Sequence, residues 1–318
     1  MPRYIENELK STRIMKHKIQ TKSSFDGLPI SIMEIRNTET PSRVLLFIHG
    51  LCGNKEKNTD AMNFFADHGF SCISYDLRGH GESLFSEKDR GYTNQGGATA
   101  MVQDMDSVIH KIRESYKDIP IYMIAHSMGS LAARSYLKTD DSAIKGLILC
   151  GNPSFNYFSP LGKVAMNLIS LADHGRTRIG WIQEVTSRIY NRQFNDEGKL
   201  AWTCSDPLIR ERFRNDSTCN ITITADCSLT ILEMMGEAYS RSGWKAHNPS
   251  LPILLISGMD DPCMISISRF HKSAGFFNTL GYTDVSGALV KDMRHEVLNE
   301  KGKEQVWEEI LRFIDSHR

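Results

Sequence analysis

Short apolar runs bounded by polar or glycine-containing turns recur along this chain, and stretches with helical spacing separate them. Val44–Ile48 is a continuous apolar run closed by His49-Gly50, and Cys72–Tyr75, Ile121–Ile124, Gly146–Cys150 and Ile253–Ile256 repeat the pattern. Runs this short and this uniformly apolar read as strands covered on both faces. Asp284–Val290 is a less apolar strand candidate. Asn58–His68 carries Ala61, Phe64 and Phe65 at helical intervals and stops at Gly69. Ala98–Tyr116 is a long amphipathic helix candidate, Ser130–Leu137 a shorter one, and Glu304–Ser316 closes the chain with Val306, Trp307, Ile310, Leu311 and Ile314 on one stripe. Ahead of them, Met15–Lys22 and Leu28–Arg36 read as two antiparallel strands joined through a turn containing Asp26-Gly27. Buried strands alternating with helices predict an α/β fold with a mostly parallel, doubly wound sheet.

The alternation lapses between the strand ending at Cys150 and the strand opening at Ile253. Residues 152–248 lack strong strand runs and instead offer helix candidates at Leu161–Ala172, Trp181–Tyr190 and Ser228–Ser240. The chain therefore divides into a first core part (1–151), a mainly helical insertion (152–248) and a second core part (249–318). An insertion leaving from a strand's carboxyl end lies over the face where α/β sites form. It is expected to act as a cap that shapes a substrate pocket; the plain alternative is a packing appendage. Phe155, Tyr157, Phe158, Trp181 and Trp202 would suit an acyl chain there, although such aromatics are more often core than pocket.

Composition narrows the class without naming a chemistry. A chain of 318 residues with 40% hydrophobic and 24% charged residues is that of a soluble globular protein. Its 38 Lys and Arg balance 38 Asp and Glu, so no overall field favours nucleic acid or an anionic membrane. Met1–Gln20 is polar and lacks the apolar centre of a signal peptide, and no run approaches the roughly 20 apolar residues of a membrane span. Seven scattered cysteines, with no CxxC pair, suit a reducing cytoplasm. A Rossmann-type nucleotide site is excluded because no GxGxxG follows the first parallel strand.

The chemistry gathers at Ala125-His126-Ser127-Met128-Gly129, where an apolar strand turns into a helix around a serine flanked by small residues. That is the sequence form of a nucleophile elbow. A serine hydroxyl needs a histidine to accept its proton and a carboxylate to orient that histidine. Behind an elbow the expected order is Ser, then acid, then His. His295 lies past strand Asp284–Val290, while Asp260 and Asp261 both follow Leu254-Leu255-Ile256-Ser257-Gly258, and spacing alone does not separate the two acids. Oxyanion donors are expected at the backbone N–H of Met128 and of the loop after His49-Gly50, with Leu51 the first choice and Cys52 the second.

Taken with His49-Gly50, Asp76-Leu77-Arg78-Gly79-His80-Gly81-Glu82-Ser83, Ser257-Gly258-Met259-Asp260-Asp261-Pro262 and Arg294-His295-Glu296, the elbow resembles the α/β-hydrolase superfamily. Within it the chain is similar to the monoacylglycerol lipase and lysophospholipase-like branch. The resemblance runs from about Phe25 to Asn152 and from Leu251 to the end, and fades through the insertion. It implies Asp261 as the acid, counted as Gly-x-x-Asp from Gly258, and a structural loop with no catalytic role for His80. Two positions depart from the pattern. Ala125 stands where the first elbow glycine is usual, and Leu51-Cys52-Gly53-Asn54-Lys55 lacks the Glu-His pair common in monoacylglycerol lipases.

The expected activity is hydrolysis of a small-molecule or lipid carboxylic ester through Ser127, His295 and Asp261, with an acyl-enzyme and with Leu51 and Met128 as oxyanion donors. The mechanism calls for no metal or organic cofactor, and the chain's makeup leaves transient contact with lipid surfaces open. Amide or aminopeptidase activity and acyl transfer are the neighbouring alternatives. An aminopeptidase would want acids in the insertion, where Glu184, Glu197 and Glu233 form no telling pattern. A non-catalytic binding module on the same scaffold is the reading from another class.

Overall fold

The computed structural model describes residues 15–317, so most of the polar leader lies outside the described residues. Eight strands form one sheet: β1 (Met15–Lys22), β2 (Pro29–Arg36), β3 (Arg43–Ile48), β4 (Phe70–Tyr75), β5 (Ile121–His126), β6 (Gly146–Cys150), β7 (Ile253–Gly258) and β8 (Val285–Val290). Their spatial order is β1-β2-β4-β3-β5-β6-β7-β8. β2 is antiparallel to β1 and β4, and every pair from β4 through β8 is parallel.

The period of two along each strand divides the core in two. Val44, Leu46, Ile48, Met123 and Ala125 face one layer, packed under α2 (Gly97–Ser115) and α3 (Met128–Leu137). Leu45, Phe47, Tyr122 and Ile124 face the other, against α1 (Thr59–Asp67) and, after β8, the closing helix Glu304–Ser316. That is why these strands read as unbroken apolar runs: neither face meets water. β8 is the exception, an edge strand with exposed positions, which accounts for its weaker apolar pattern.

The segment between β6 and β7 carries four α-helices: α4 (Ser159–Ser170), α5 (Gly180–Tyr190), α6 (Pro207–Asn215) and α7 (Ala225–Ala238). The chain then adds α8 (Ile267–Thr279), and the closing helix is α9. Neither α6 nor α8 is predicted from hydrophobic periodicity. α6 buries none of its residues, and α8 buries only Phe270, Ser273 and Phe277, so neither carries a strong apolar stripe. Both do carry start signals, the Asp206 and Ser266 side chains accepting backbone N–H bonds at their N-termini.

The register places the working ends together. Ile48 pairs with Ala125, Ala125 with Leu149 and Leu149 with Leu255. The loops after β3, β5, β6 and β7 therefore leave the sheet side by side, at its carboxyl edge.

Candidate active site

Ser127 stands between β5 and α3 with φ 53° and ψ −118°, a left-handed conformation that costs a non-glycine residue of order 1–3 kcal/mol. The surroundings hold it there. The Ser127 N–H donates to the Cys150 carbonyl at 3.0 Å, and the Ser130 hydroxyl donates to the Ser127 carbonyl at 2.5 Å. Gly129 admits the sharp turn, since a Cβ there would lie 2.6 Å from the His49 carbonyl.

His295 arrives from the loop after β8, 3% exposed, with Nε2 2.8 Å from the Ser127 hydroxyl. On its other side Nδ1 lies 3.0 and 3.1 Å from the two Asp261 carboxylate oxygens. An ionised carboxylate only accepts, so Nδ1 carries the proton and Nε2 is left to accept from serine. Burial alone would depress the His295 pKa, but the Asp261 charge outweighs it and holds the imidazole well above its ordinary value. Asp261 is 2% exposed and accepts the Cys263 N–H at 2.8 Å, which fixes its carboxylate. Asp260, its neighbour, points to solvent and contributes only backbone bonds. The structure thus brings Ser127, His295 and Asp261 into one hydrogen-bonded line and leaves Asp260 outside it.

The acid and histidine loops touch because Gly258 lets them. A Cβ on Gly258 would sit 2.0 Å from the Met293 carbonyl oxygen and 2.3 Å from that of Arg294. Met128 is the first residue of α3, so its N–H is among those a helix leaves without an internal partner. Leu51 lies in the loop after β3, in a turn closed by the Gly53 N–H on the Gly50 carbonyl at 3.1 Å. His49 braces that turn: its Nε2 accepts from the Leu77 N–H at 2.9 Å, leaving Nδ1 to donate to the Gly50 carbonyl at 2.7 Å.

The Asp76–Ser83 loop is framework. Asp76 accepts the Lys55 N–H and ammonium at 2.7 and 2.8 Å, tying the loop after β3 to the end of β4. Arg78 is clamped between Asp104 and Asp26. His80 is fully buried, its ring centre 5.4 Å from that of His49, with burial first among the causes that lower its pKa to about 4.

A buried charge network flanks the line and is not foreseen from sequence. Glu296, next to His295, takes the Lys57 ammonium at 2.6 Å, both side chains 7% exposed. The His126 ring, next to Ser127, lies 4.8 Å from the His295 ring, and its Nε2 is 3.1 Å from the His295 carbonyl oxygen. Burial would raise the Glu296 pKa, whereas His126 and Lys57 pull it down to about 2. His126 itself titrates near 4, chiefly through burial, so Lys57 is the partner that matters at neutral pH. The two residues are 239 positions apart, and only adjacency to His295 marks Glu296 in the sequence.

The five aromatic residues of the insertion divide. Trp202 is half-buried, its ring centre 5.2 Å from that of His295. Phe155 packs on Tyr239 beside a cleft of about 1160 Å³ between α2, α3 and α7, which Ser127, Asp261 and His295 do not line. Tyr157, Phe158 and Trp181 are 67%, 76% and 68% exposed, so these three belong neither to a core nor to a closed pocket. Leu161, Val164 and Leu168, at i, i+3 and i+7, give α4 an outward apolar ridge, and Trp181, Val185 and Ile189, at i, i+4 and i+8, give α5 another. Each acid considered for an amine terminus already faces a cation: Glu184 with Arg188, Glu197 with Arg294, Glu233 with Lys163.

The family model described as "Serine aminopeptidase, S33" matches residues 39–302. Protein phosphatase methylesterase 1 of Candida albicans is 26% identical over 113 residues, 35% of this chain and 29% of that protein. The chain spans 29–40% of the length of the curated relatives it matches. A thermostable carboxyl esterase from Bacillus coagulans superimposes with a TM-score of 0.86 at 23% identity, over 96% of this chain and 99% of the esterase. A soluble variant of monoglyceride lipase from Saccharomyces cerevisiae does so at 0.71 and 18% identity, over 96% and 97% of the two chains. With the elbow, the sheet order and the family match in agreement, the chain has the α/β-hydrolase fold and belongs to the serine aminopeptidase S33 family of hydrolases.

Proposed function

We propose that this protein is a serine hydrolase that cleaves carboxylic esters. The observation that carries the reading is the unbroken hydrogen-bond line from the Ser127 hydroxyl through His295 to Asp261, at 2.8 and 3.0 Å. Ser127 attacks the acyl carbon as His295 Nε2 takes its proton, and Asp261 stabilises the imidazolium that forms. The N–H groups of Leu51 and Met128 receive the oxyanion. His295 then protonates the leaving alcohol, and water repeats the sequence to release the acid. The 3% exposure of His295 and the Trp202 ring over it keep bulk water from competing for that proton.

Ester cleavage is favoured over aminopeptidase action because Glu184, Glu197 and Glu233 are each occupied by a cation rather than free to bind an amine. Acyl transfer uses the same machinery with an alcohol in place of water. A binding module would have no use for a strained, hydrogen-bonded serine. We further infer a lipid ester as substrate, met at a lipid surface through the ridges of α4 and α5, where Leu168 and Trp181 are 64% and 68% exposed. Among the described residues no helix is long and apolar enough to cross a membrane, so such contact would be peripheral. The seven free cysteines suit a reducing compartment.

The test is a panel of acyl esters of graded chain length, with monoacylglycerols and lysophospholipids, run beside fluorophosphonate labelling. Ser127→Ala should abolish labelling and lower turnover by about 10⁶-fold with an unchanged circular dichroism spectrum. A variant that keeps most of its activity would overturn the assignment.

A further inference from the structure

Around His295 lies a donor set with one member, Cys263, for which ester hydrolysis has no use. Asp261, Cys263 and His295 are buried together, and one donor atom from each lies within 4.8 Å of the others. Nitrogen, thiol sulfur and carboxylate oxygen are the three donor types Zn²⁺ takes from proteins. A tetrahedral Zn²⁺ with ordinary bond lengths needs donors about 3.3–3.6 Å apart, and His295 Nδ1 already stands 3.0 and 3.1 Å from the two Asp261 oxygens. The short helical turn Pro262–Met264 begins with Asp261 accepting the Cys263 N–H, so acid and thiol are held on one turn. From the insertion, Tyr190 reaches the same place, close enough to Cys263 and Asp261 for their charges to act on its phenol. Its ring is 5.0 Å from that of Trp202.

We propose that Asp261, Cys263 and His295 form an inhibitory site for a thiophilic divalent cation, Zn²⁺ above all, with Tyr190 or water as fourth donor. Binding replaces the Nδ1–H···carboxylate bond with a Zn–Nδ1 bond. The displaced Nδ1 proton ends on Nε2, the Cys263 thiol gives its proton to solvent, and one proton is released per ion bound. Nε2 is then a donor, and it can no longer accept the proton of Ser127. The site therefore switches off the base without touching the nucleophile. The inhibitory half of this inference rests on the proposed triad; the binding half does not.

The experiment uses the full chain, freed of metal by chelation and dialysis. Titration with Co²⁺, as a spectroscopic stand-in, should raise a thiolate-to-cobalt charge-transfer band that saturates at one ion per chain. Titration with Zn²⁺ should block fluorophosphonate labelling of Ser127 in step, and excess EDTA should restore it. In Cys263→Ser the band should vanish, and the Zn²⁺ needed for half-inhibition should rise by at least about tenfold, the lower edge of what even outer-shell losses cost a metal site. Cys263→Ala, which also fits the space, serves if the serine variant does not fold. Cys219→Ser, in a cysteine outside the donor set, should leave band and inhibition in place. Absence of the band in the wild type, or its persistence without Cys263, overturns the proposal. Failure of the metal-free protein to label at all would instead overturn the triad, and the cobalt titration would still judge the metal site.

Discussion

The sheet core and the helical segment between β6 and β7 hold their apolar residues in opposite ways. Every residue of β5 is buried, whereas α5 buries none and leaves Trp181, Val185 and Ile189 at least half exposed. The core is held by packing. Of the inserted helices only α7 packs into the sheet core, through Met234, Met235 and Ala238; the others share a small cluster around Met166, Ile179, Ile223 and Cys227 and are further tethered through polar groups. Asp226 accepts from Thr93 and Gln95, Glu197 pairs with Arg294, and the Glu296 N–H donates to the Thr203 carbonyl. A segment anchored by one packed helix and a few directional bonds can keep apolar surface facing outward without losing its place. On the proposed function, the core supplies the chemistry and most of the stability, and the insertion governs what reaches the serine.

The sharpest challenge to this division is at the acid. Asp261→Asn should lower kcat by about 10⁴-fold for every ester alike, because it acts on the base and not on substrate fit. Its pH profile carries a second signature. In the proposed mechanism His295 works only when Nε2 is unprotonated, and the Asp261 charge raises its pKa above 6.5 against the depression from burial. In the wild type, kcat/KM should therefore climb with pH through a midpoint above 6.5. In Asp261→Asn the charge is gone and burial remains, so the residual activity should climb through a lower midpoint. A variant whose loss depended on acyl length would blur the boundary drawn here.

Next come the places where core packing admits no change. Phe47→Ala, beneath α1, should cost about 3–5 kcal/mol in denaturant unfolding. Gly258→Ala should be at least as damaging, since its methyl would meet the Met293 and Arg294 carbonyls at 2.0 and 2.3 Å and push the acid and histidine loops apart. A Gly258→Ala protein with normal stability and rate would mean these loops yield more freely than their contacts allow.

The Lys57–Glu296 pair joins the loop after β3 to the histidine loop, and removing one partner leaves the other charge buried. Glu296→Gln should cost about 3 kcal/mol. Its folded pKa of about 2 lies below the ordinary 4.5, so the wild-type contribution is complete above pH 4.5 and is lost as pH falls toward 2. The stability difference between wild type and Glu296→Gln should narrow across that window, followed by thermal melts at stepped pH. An unchanged difference would assign the cost to packing alone.

How far the sequence could be read follows the same division. β3, β5, β6 and β7 are legible because burial on both faces writes itself as uninterrupted apolar runs. Ser127 and Asp261 are legible because each follows such a strand, and His295 because it follows the edge strand β8 in the expected chain order. Spacing leaves Asp260 and Asp261 open and only the family resemblance points to Asp261, since which of two adjacent acids turns inward depends on Gly258 and the Cys263 N–H. Lys57 and Glu296 were out of reach, because nothing local couples residues that distant. The aromatic residues of the insertion misled for a physical reason: exposed and buried tryptophan look alike in a segment whose surface is itself apolar.

The ridges of α4 and α5 yield the smallest effect on stability and the most telling one on function. Trp181→Ser with Leu168→Ser replaces two side chains that are 68% and 64% exposed, so unfolding free energy should change by no more than about 0.5 kcal/mol per site. Hydrolysis of a short, water-soluble ester should be unchanged, because neither side chain belongs to the line from Ser127 to Asp261. Hydrolysis of a long-chain monoacylglycerol carried in phospholipid vesicles should fall severalfold, with the loss in KM rather than kcat, and co-sedimentation with those vesicles should weaken in parallel. Equal losses on the soluble and vesicle-borne esters would show that α4 and α5 act on the chemistry itself, and the contrast between core and insertion would have to be redrawn. Equal retention on both would reduce the ridges to a packing appendage, and the lipid-surface reading would fall while the triad stood.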